Sequence, residues 1–356
     1  MTGGVPERSA EGLRGHGVGR RAALVGGLAA AAVAGGLAGR AVLRRGRGAP
    51  TDAPALDLLP PDDLGPVRGP DAVPLCVRAA GDARAPVLLL VHGFGLDMTV
   101  WHPQWAGLAG RFRCVLVDLR GHGRSGSAAD LSLRAMAGDV GAALDAAGSG
   151  PAVVIGHSMG AMAVIALAGE RPEVFGPRVA GVVLIGAAAG DLLRGAIGGF
   201  SALLRPASVP QAVRRLDRLR RHLVASRADV AALVARLTQF GPDPPRSAVE
   251  HVVALAARAP ARVWSDGLSG LLAADLRPAL GEVHVPALVV VGDHDRITPV
   301  TGAEALAARL PDARLEVIPG AGHVPMLERP RDVNALLAAF ADQVLAGRPR
   351  GGRAGQ

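Results

Sequence analysis

From about residue 73 onward, short apolar runs alternate along the chain with longer mixed segments. The runs span residues 87–91, 114–119, 152–155, 179–185, 287–291 and 314–318 and are rich in Val, Leu and Ile. Most are apolar without alternation, the pattern of a strand buried on both faces. Segments 131–147, 159–168 and 302–310 lie between them and are long enough for helices. Strand and helix in alternation predict an α/β protein with a mostly parallel central sheet and helices on both faces. Between Ala187 and about Leu276 the rhythm stops. That stretch has no clear strand run but several helical ones, including 211–223 and 228–238. Because the strand pattern resumes at Ala287, the gap reads as a helical cap (188–276) inserted into a core formed by residues 65–187 and 277–346.

The first part of the chain is built differently. A basic tail, 1–21, ends in Arg20 and Arg21, and an uncharged Ala/Gly-rich run follows over 22–39. Its length is near the lower limit for a membrane span, and its Ala and Gly content makes insertion weak. Membrane anchor or export signal is the expected reading, with small residues at Ala32 and Ala34 spaced as for cleavage; an Ala-rich cytoplasmic helix is the alternative. Arginines flank the run on both sides, so charge assigns no orientation. Residues 40–64 read as a Pro- and Gly-containing linker, and 347–356 as a flexible tail.

Composition narrows the choice of function. The chain has 356 residues and a formal net charge of +8. Residues 1–50 contribute +6 of this and residues 341–356 contribute +2, while the 28 Arg and 28 acidic residues between them cancel. A neutral domain with 3% aromatics offers little for nucleic acid to bind or stack on. The two cysteines, Cys76 and Cys114, lie in apolar runs and read as buried free thiols. No dinucleotide fingerprint, phosphate loop or clustered metal-ligand spacing is present, so neither cofactor nor metal is implied.

Chemistry concentrates at strand ends. Residues 152–160 read as a strand, then Gly156-His157-Ser158-Met159-Gly160, then a helix. Small residues at 156 and 160 allow a sharp strand-to-helix turn that lifts Ser158 to the N-terminus of a helix, where negative charge is favoured. A serine hydroxyl needs a base, and His323 lies in a Gly-rich loop directly after an apolar run. The base needs a carboxylate to orient it, and Gly292-Asp293-His294-Asp295 supplies two candidates, Asp293 and Asp295.

Together these segments resemble the α/β-hydrolase superfamily over roughly residues 65–346. The resemblance rests on four motifs in order: His92-Gly93-Phe94-Gly95; Asp118 to Ser125 as D-x-R-G-x-G-x-S; Gly156 to Gly160; and Gly292 to Asp295 with Pro299, followed by Gly322-His323 with Glu328 and Pro330. It implies the α/β-hydrolase fold with Ser158 as nucleophile, His323 as general base and Asp295 as the acid. It also implies an oxyanion hole made by the backbone N–H groups of Phe94 and Met159. Asp118, Arg120 and His122 are then loop scaffolding, and His157 packs beside the elbow. Trp101 falls where related enzymes line the pocket, with core packing as the equal alternative. Phe200 belongs to an apolar cap stripe with Leu192, Leu193, Ile197, Leu203 and Leu204, suited to a small lipophilic acyl substrate or to packing the cap down. Arginines at 214, 215, 218, 220 and 221 make one cap segment basic, a solvated face or a membrane contact.

The function this implies is hydrolysis of a carboxylic ester or similar acyl compound through an acyl-enzyme. The alternatives within the fold are a cofactor-free haloperoxidase or perhydrolase, and a carbon–carbon bond hydrolase. A non-catalytic binding protein of the fold is the remaining class.

Overall fold

The computed structural model describes residues 56–190 and 228–346. Its centre is an eight-stranded sheet. In chain order the strands are β1 (Asp62–Asp63), β2 (Val77–Ala80), β3 (Val87–Val91), β4 (Arg113–Val117), β5 (Ala152–His157), β6 (Val179–Ile185), β7 (Ala287–Gly292) and β8 (Ala313–Ile318). Their spatial order is β1-β2-β4-β3-β5-β6-β7-β8. The β1–β2 and β2–β4 pairs are antiparallel, and every pair from β4 to β8 is parallel.

Strands buried on both faces need two helical layers, and alternate residues divide between them. Leu89, Val91, Val154, Leu184 and Val289 point into one core with helices α2 (Leu133–Ala146) and α3 (Met159–Glu170). Leu88, Leu90, Ile155, Val183 and Leu288 point into the other, with α1 (His102–Leu108) and, near the C-terminus, the long helix Pro330–Leu345. Helix α3 is buried almost all round, which explains why its sequence is apolar on every face.

Between the last two parts of the core lie the described cap elements: α4 (Ala228–Gln239), α5 (Arg246–Arg258), a π turn (Val263–Gly267) and α6 (Leu268–Ala273). They are followed by α7 (Val300–Ala307), the single turn α8 (Pro325–Glu328) and α9 (Pro330–Leu345). The segment 211–223, the apolar stripe with Phe200 and the basic cap arginines lie outside the described residues, as do 1–55 and 347–356. The run 22–39 is among them. No helix of the described residues is long and apolar enough to cross a membrane.

The structure departs from the linear reading at one sheet edge. Residues 62 and 63, inside the stretch read as linker (40–64), pair with Ala79 and Arg78 as strand β1. Two aspartates carry no hydrophobic signature; the pairing is held instead by charge. Arg113 meets Asp62, and Arg78 donates to the Pro60 carbonyl at 2.7 Å and reaches Asp63 at 3.4 Å. Both cysteines are free, Cys114 buried and Cys76 half-buried; burial pushes the Cys76 thiol up to about 11 and Cys114 to about 12.

Candidate active site

Ser158 sits between β5 and α3 with φ 51° and ψ −117°, a strained conformation for a residue with a side chain. The turn closes because nothing projects from its flanks. A Cβ on Gly156 would lie 2.5 Å from the Ala161 backbone, and one on Gly160 would lie 2.5 Å from the carbonyl oxygens of Val91 and His92. The Ser158 N–H is tied to the Ile185 carbonyl of β6 at 2.8 Å. The hydroxyl is thereby held above the C-terminal ends of the parallel strands, where α/β folds place their sites.

The loops after β7 and β8 meet it there. His323 Nε2 lies 3.0 Å from Ser158 Oγ, and His323 Nδ1 lies 2.8 Å from Asp295 Oδ2. The carboxylate at Nδ1 fixes the proton on that nitrogen, so Nε2 presents a lone pair to the hydroxyl. His323 and Asp295 are both nearly inaccessible, at 4% and 5%. Asp295 Oδ1 accepts the N–H groups of Ile297 and Thr298, each at 2.8 Å, and Oδ2 accepts the Thr298 hydroxyl at 2.7 Å. Burial alone would raise the Asp295 carboxyl; the facing His323 and the Thr298 bonds outweigh it and hold it below the ordinary value. Asp293, the other candidate, is 39% exposed and faces His294. It is Asp295 that meets the histidine.

The neighbouring N–H groups of Phe94 and Met159 donate to no acceptor among the described residues. His157 Nε2 donates to the His323 carbonyl at 2.8 Å, and burial with the nearby His323 pushes its pKa down to about 3, so it stays neutral. Asp118, Arg120 and His122 are buried in the loop after β4. Asp118 accepts the N–H groups of Met98 and Arg124 at 2.7 and 2.8 Å, and Arg120 forms a two-pronged ion pair with Asp139 at 2.8 and 2.9 Å. These bonds hold loops, and none of them is made to Ser158.

Trp101 is fully buried in the core with Met98, Leu108 and Leu116. It is the last residue of a 3-10 turn, Met98–Trp101, all four residues of which are buried. Three residues that the linear reading gave no role do touch the site. Thr298 orients Asp295 from three positions on, a spacing that a carboxylate-centred turn makes natural. Glu328 binds the histidine loop. Trp264 of the cap packs edge-on against Phe94, with ring centroids 5.0 Å apart.

Comparison with known proteins agrees with this architecture. Residues 86–330 match the model of the alpha/beta hydrolase fold family. The chain is 31% identical over 261 residues to a pimeloyl-[acyl-carrier protein] methyl ester esterase of Edwardsiella ictaluri, covering 72% of this chain and 93% of that one. Among solved structures it is similar to a thermophilic esterase from Thermogutta terrifontis, with TM-score 0.63, 26% identity and coverage of 78% of this chain and 98% of that one. It is also similar to an N-acyl homoserine lactone degrading enzyme, with TM-score 0.55, 27% identity and coverage of 77% and 100%. An eight-stranded sheet of this order, the strained turn on β5 and these likenesses together establish that the chain belongs to the alpha/beta hydrolase fold family, as an enzyme of the esterase type.

Proposed function

We propose that this protein hydrolyses carboxylic esters of small lipophilic acyl groups through a covalent acyl-enzyme on Ser158. His323 Nε2 removes the hydroxyl proton as Ser158 Oγ attacks the ester carbonyl. The proton then passes from His323 to the departing alkoxide. A water molecule, deprotonated by the same imidazole, attacks the acyl-enzyme and releases the acid. Asp295 keeps the imidazole in the required tautomer and stabilises its cationic form. The N–H groups of Phe94 and Met159 receive the charge that develops on the carbonyl oxygen, in each step. Such a donor typically contributes about 10²–10³ in rate.

The observation that carries this reading is the unbroken chain of hydrogen bonds Ser158–His323–Asp295, at 3.0 and 2.8 Å, starting from a serine in a strained turn. Ester cleavage is favoured because the chain is similar to a methyl ester esterase and to a thermophilic esterase. The test is labelling with a fluorophosphonate. Wild-type chain is expected to be labelled stoichiometrically, and Ser158→Ala not at all, with turnover of p-nitrophenyl esters falling by a factor on the order of 10⁶. Labelling of Ser158→Ala at the wild-type rate would refute the assignment.

A further inference from the structure

Outside the Ser158–His323–Asp295 chain, one buried carboxylate holds the loop that carries His323. Glu328 is 4% exposed. Its Oε1 accepts the Gly322 N–H at 2.8 Å, and its Oε2 accepts the Gly241 N–H at 2.7 Å. Gly322 directly precedes His323, and Gly241 lies just beyond the cap helix α4. The His323 N–H itself donates to the carbonyl of Gln239, the last residue of α4, at 2.7 Å. The backbones interlock: a Cβ on Gly322 would lie 2.5 Å from the Phe240 carbonyl carbon, and one on Gly241 would lie 2.5 Å from the Gly320 oxygen. On the other side Arg296, next to Asp295, donates to the carbonyls of Leu237 and Phe240 at 3.1 and 3.2 Å.

We propose that Glu328 is a positioning residue: it ties the His323 peptide to the end of α4, so that the seating of the cap sets how closely the imidazole approaches Ser158. The proposal rests on the acyl-enzyme reading above. Two N–H donors converge on this one side chain, and a carboxylate is the group with an acceptor oxygen for each. Glutamine offers a single acceptor and turns its NH₂ toward a second N–H. Aspartate keeps both oxygens but is one methylene shorter. The N–H groups of Gly322 and His323 are therefore both tied to the cap segment, the first through Glu328, which also accepts the Gly241 N–H, and the second directly to Gln239.

The test compares wild type, Glu328→Gln, Glu328→Asp, Arg329→Met and Ser158→Ala in the full chain. Arg329 donates to the Gly320 carbonyl at 2.9 Å, so its loss loosens the same loop while leaving both Glu328 carboxylate bonds in place. The readouts are kcat and KM for p-nitrophenyl butyrate, the rate of fluorophosphonate inactivation, and the melting temperature. Glu328→Gln is expected to lower kcat and the inactivation rate together by about 10–100-fold, the usual cost of a small misplacement, with KM little changed. Arg329→Met is expected to keep wild-type kcat. A folded Glu328→Gln with wild-type kcat overturns the proposal, as does an Arg329→Met that loses as much. If Glu328→Gln does not fold, Glu328→Asp decides in the same way; if neither folds, the residue is structural and the proposal fails. Ser158→Ala separates the two ideas. If it retains activity, the acyl-enzyme reading falls; if it is inactive while the Glu328 variants are unaffected, only the positioning role does.

Discussion

Asp118 shows how a buried side chain trades its charge against the bonds it makes. Its two oxygens accept backbone N–H groups from the turn after β3 and from its own loop. Burial, with the nearby Asp97, nevertheless pushes its pKa up to about 7 from 3.8. A carboxyl whose pKa is raised on folding contributes its stability below the unfolded value and loses it as pH rises through the folded one. The Asp118 contribution is therefore full below about pH 3.8 and gone above about pH 7. Urea midpoints measured across that window should fall with rising pH in wild type relative to Asp118→Asn, whose neutral amide cannot titrate. A constant difference between the two would show that folding does not raise the Asp118 pKa. At the same scale, Ser158 and His323 could be named from the chain because each follows an apolar run and sits among small residues, whereas the loop after β7 offered Asp293 and Asp295 alike and only the family resemblance favoured Asp295. Thr298, by contrast, has no such mark. Its role depends on a turn that brings its hydroxyl back onto Asp295.

The loop after β4 is held as an element rather than residue by residue. Arg120 and Asp139 are both fully buried, and their ion pair joins this loop to helix α2. Burial opposes the Arg120 charge; the hydrogen bond and charge of Asp139 outweigh it. Removing one partner strands the other charge in the interior, at about 3–5 kcal/mol, whereas replacing both with apolar residues of similar size is often neutral. Asp139→Ala should thus unfold at clearly lower urea than wild type, and Arg120→Met/Asp139→Leu should recover most of the loss. Failure of the double variant to recover would mean that the further bonds of Arg120, to the carbonyls of Pro70 and Asp130 at 3.3 Å, matter more than the charge pair. The parallel strands were legible as elements because a strand covered on both faces must be apolar throughout. Strand β1 was not, since an edge held by Arg78 and Arg113 needs no hydrophobic residue of its own.

At the scale of the whole molecule, the cap touches the site from two directions. The end of α4 meets the histidine loop, and Trp264 of the π turn meets Phe94 and lies 3.2 Å from where a Cβ on Gly95 would be. Edge-to-face aromatic pairs contribute about 0.5–1.5 kcal/mol beyond the area they bury. If that contact holds the Phe94 N–H in place, Trp264→Ala should lower kcat by up to about tenfold, and Trp264→Phe by less. An Ala variant that changes KM alone would place Trp264 in substrate binding instead. The sequence by itself determined the layered α/β core and the order in which serine, acid and histidine loops occur. Hydrophobic pattern and glycine spacing are local properties, and the strand-to-helix turn at Ser158 is built from neighbours in the chain. Tertiary structure alone decided that the imidazole meets Asp295 at 2.8 Å while Asp293 stays half-exposed, that Trp101 is fully buried, and that Glu328 joins cap to core. Those outcomes depend on which way a side chain points once distant loops are pressed together, and no periodicity along the chain encodes that direction.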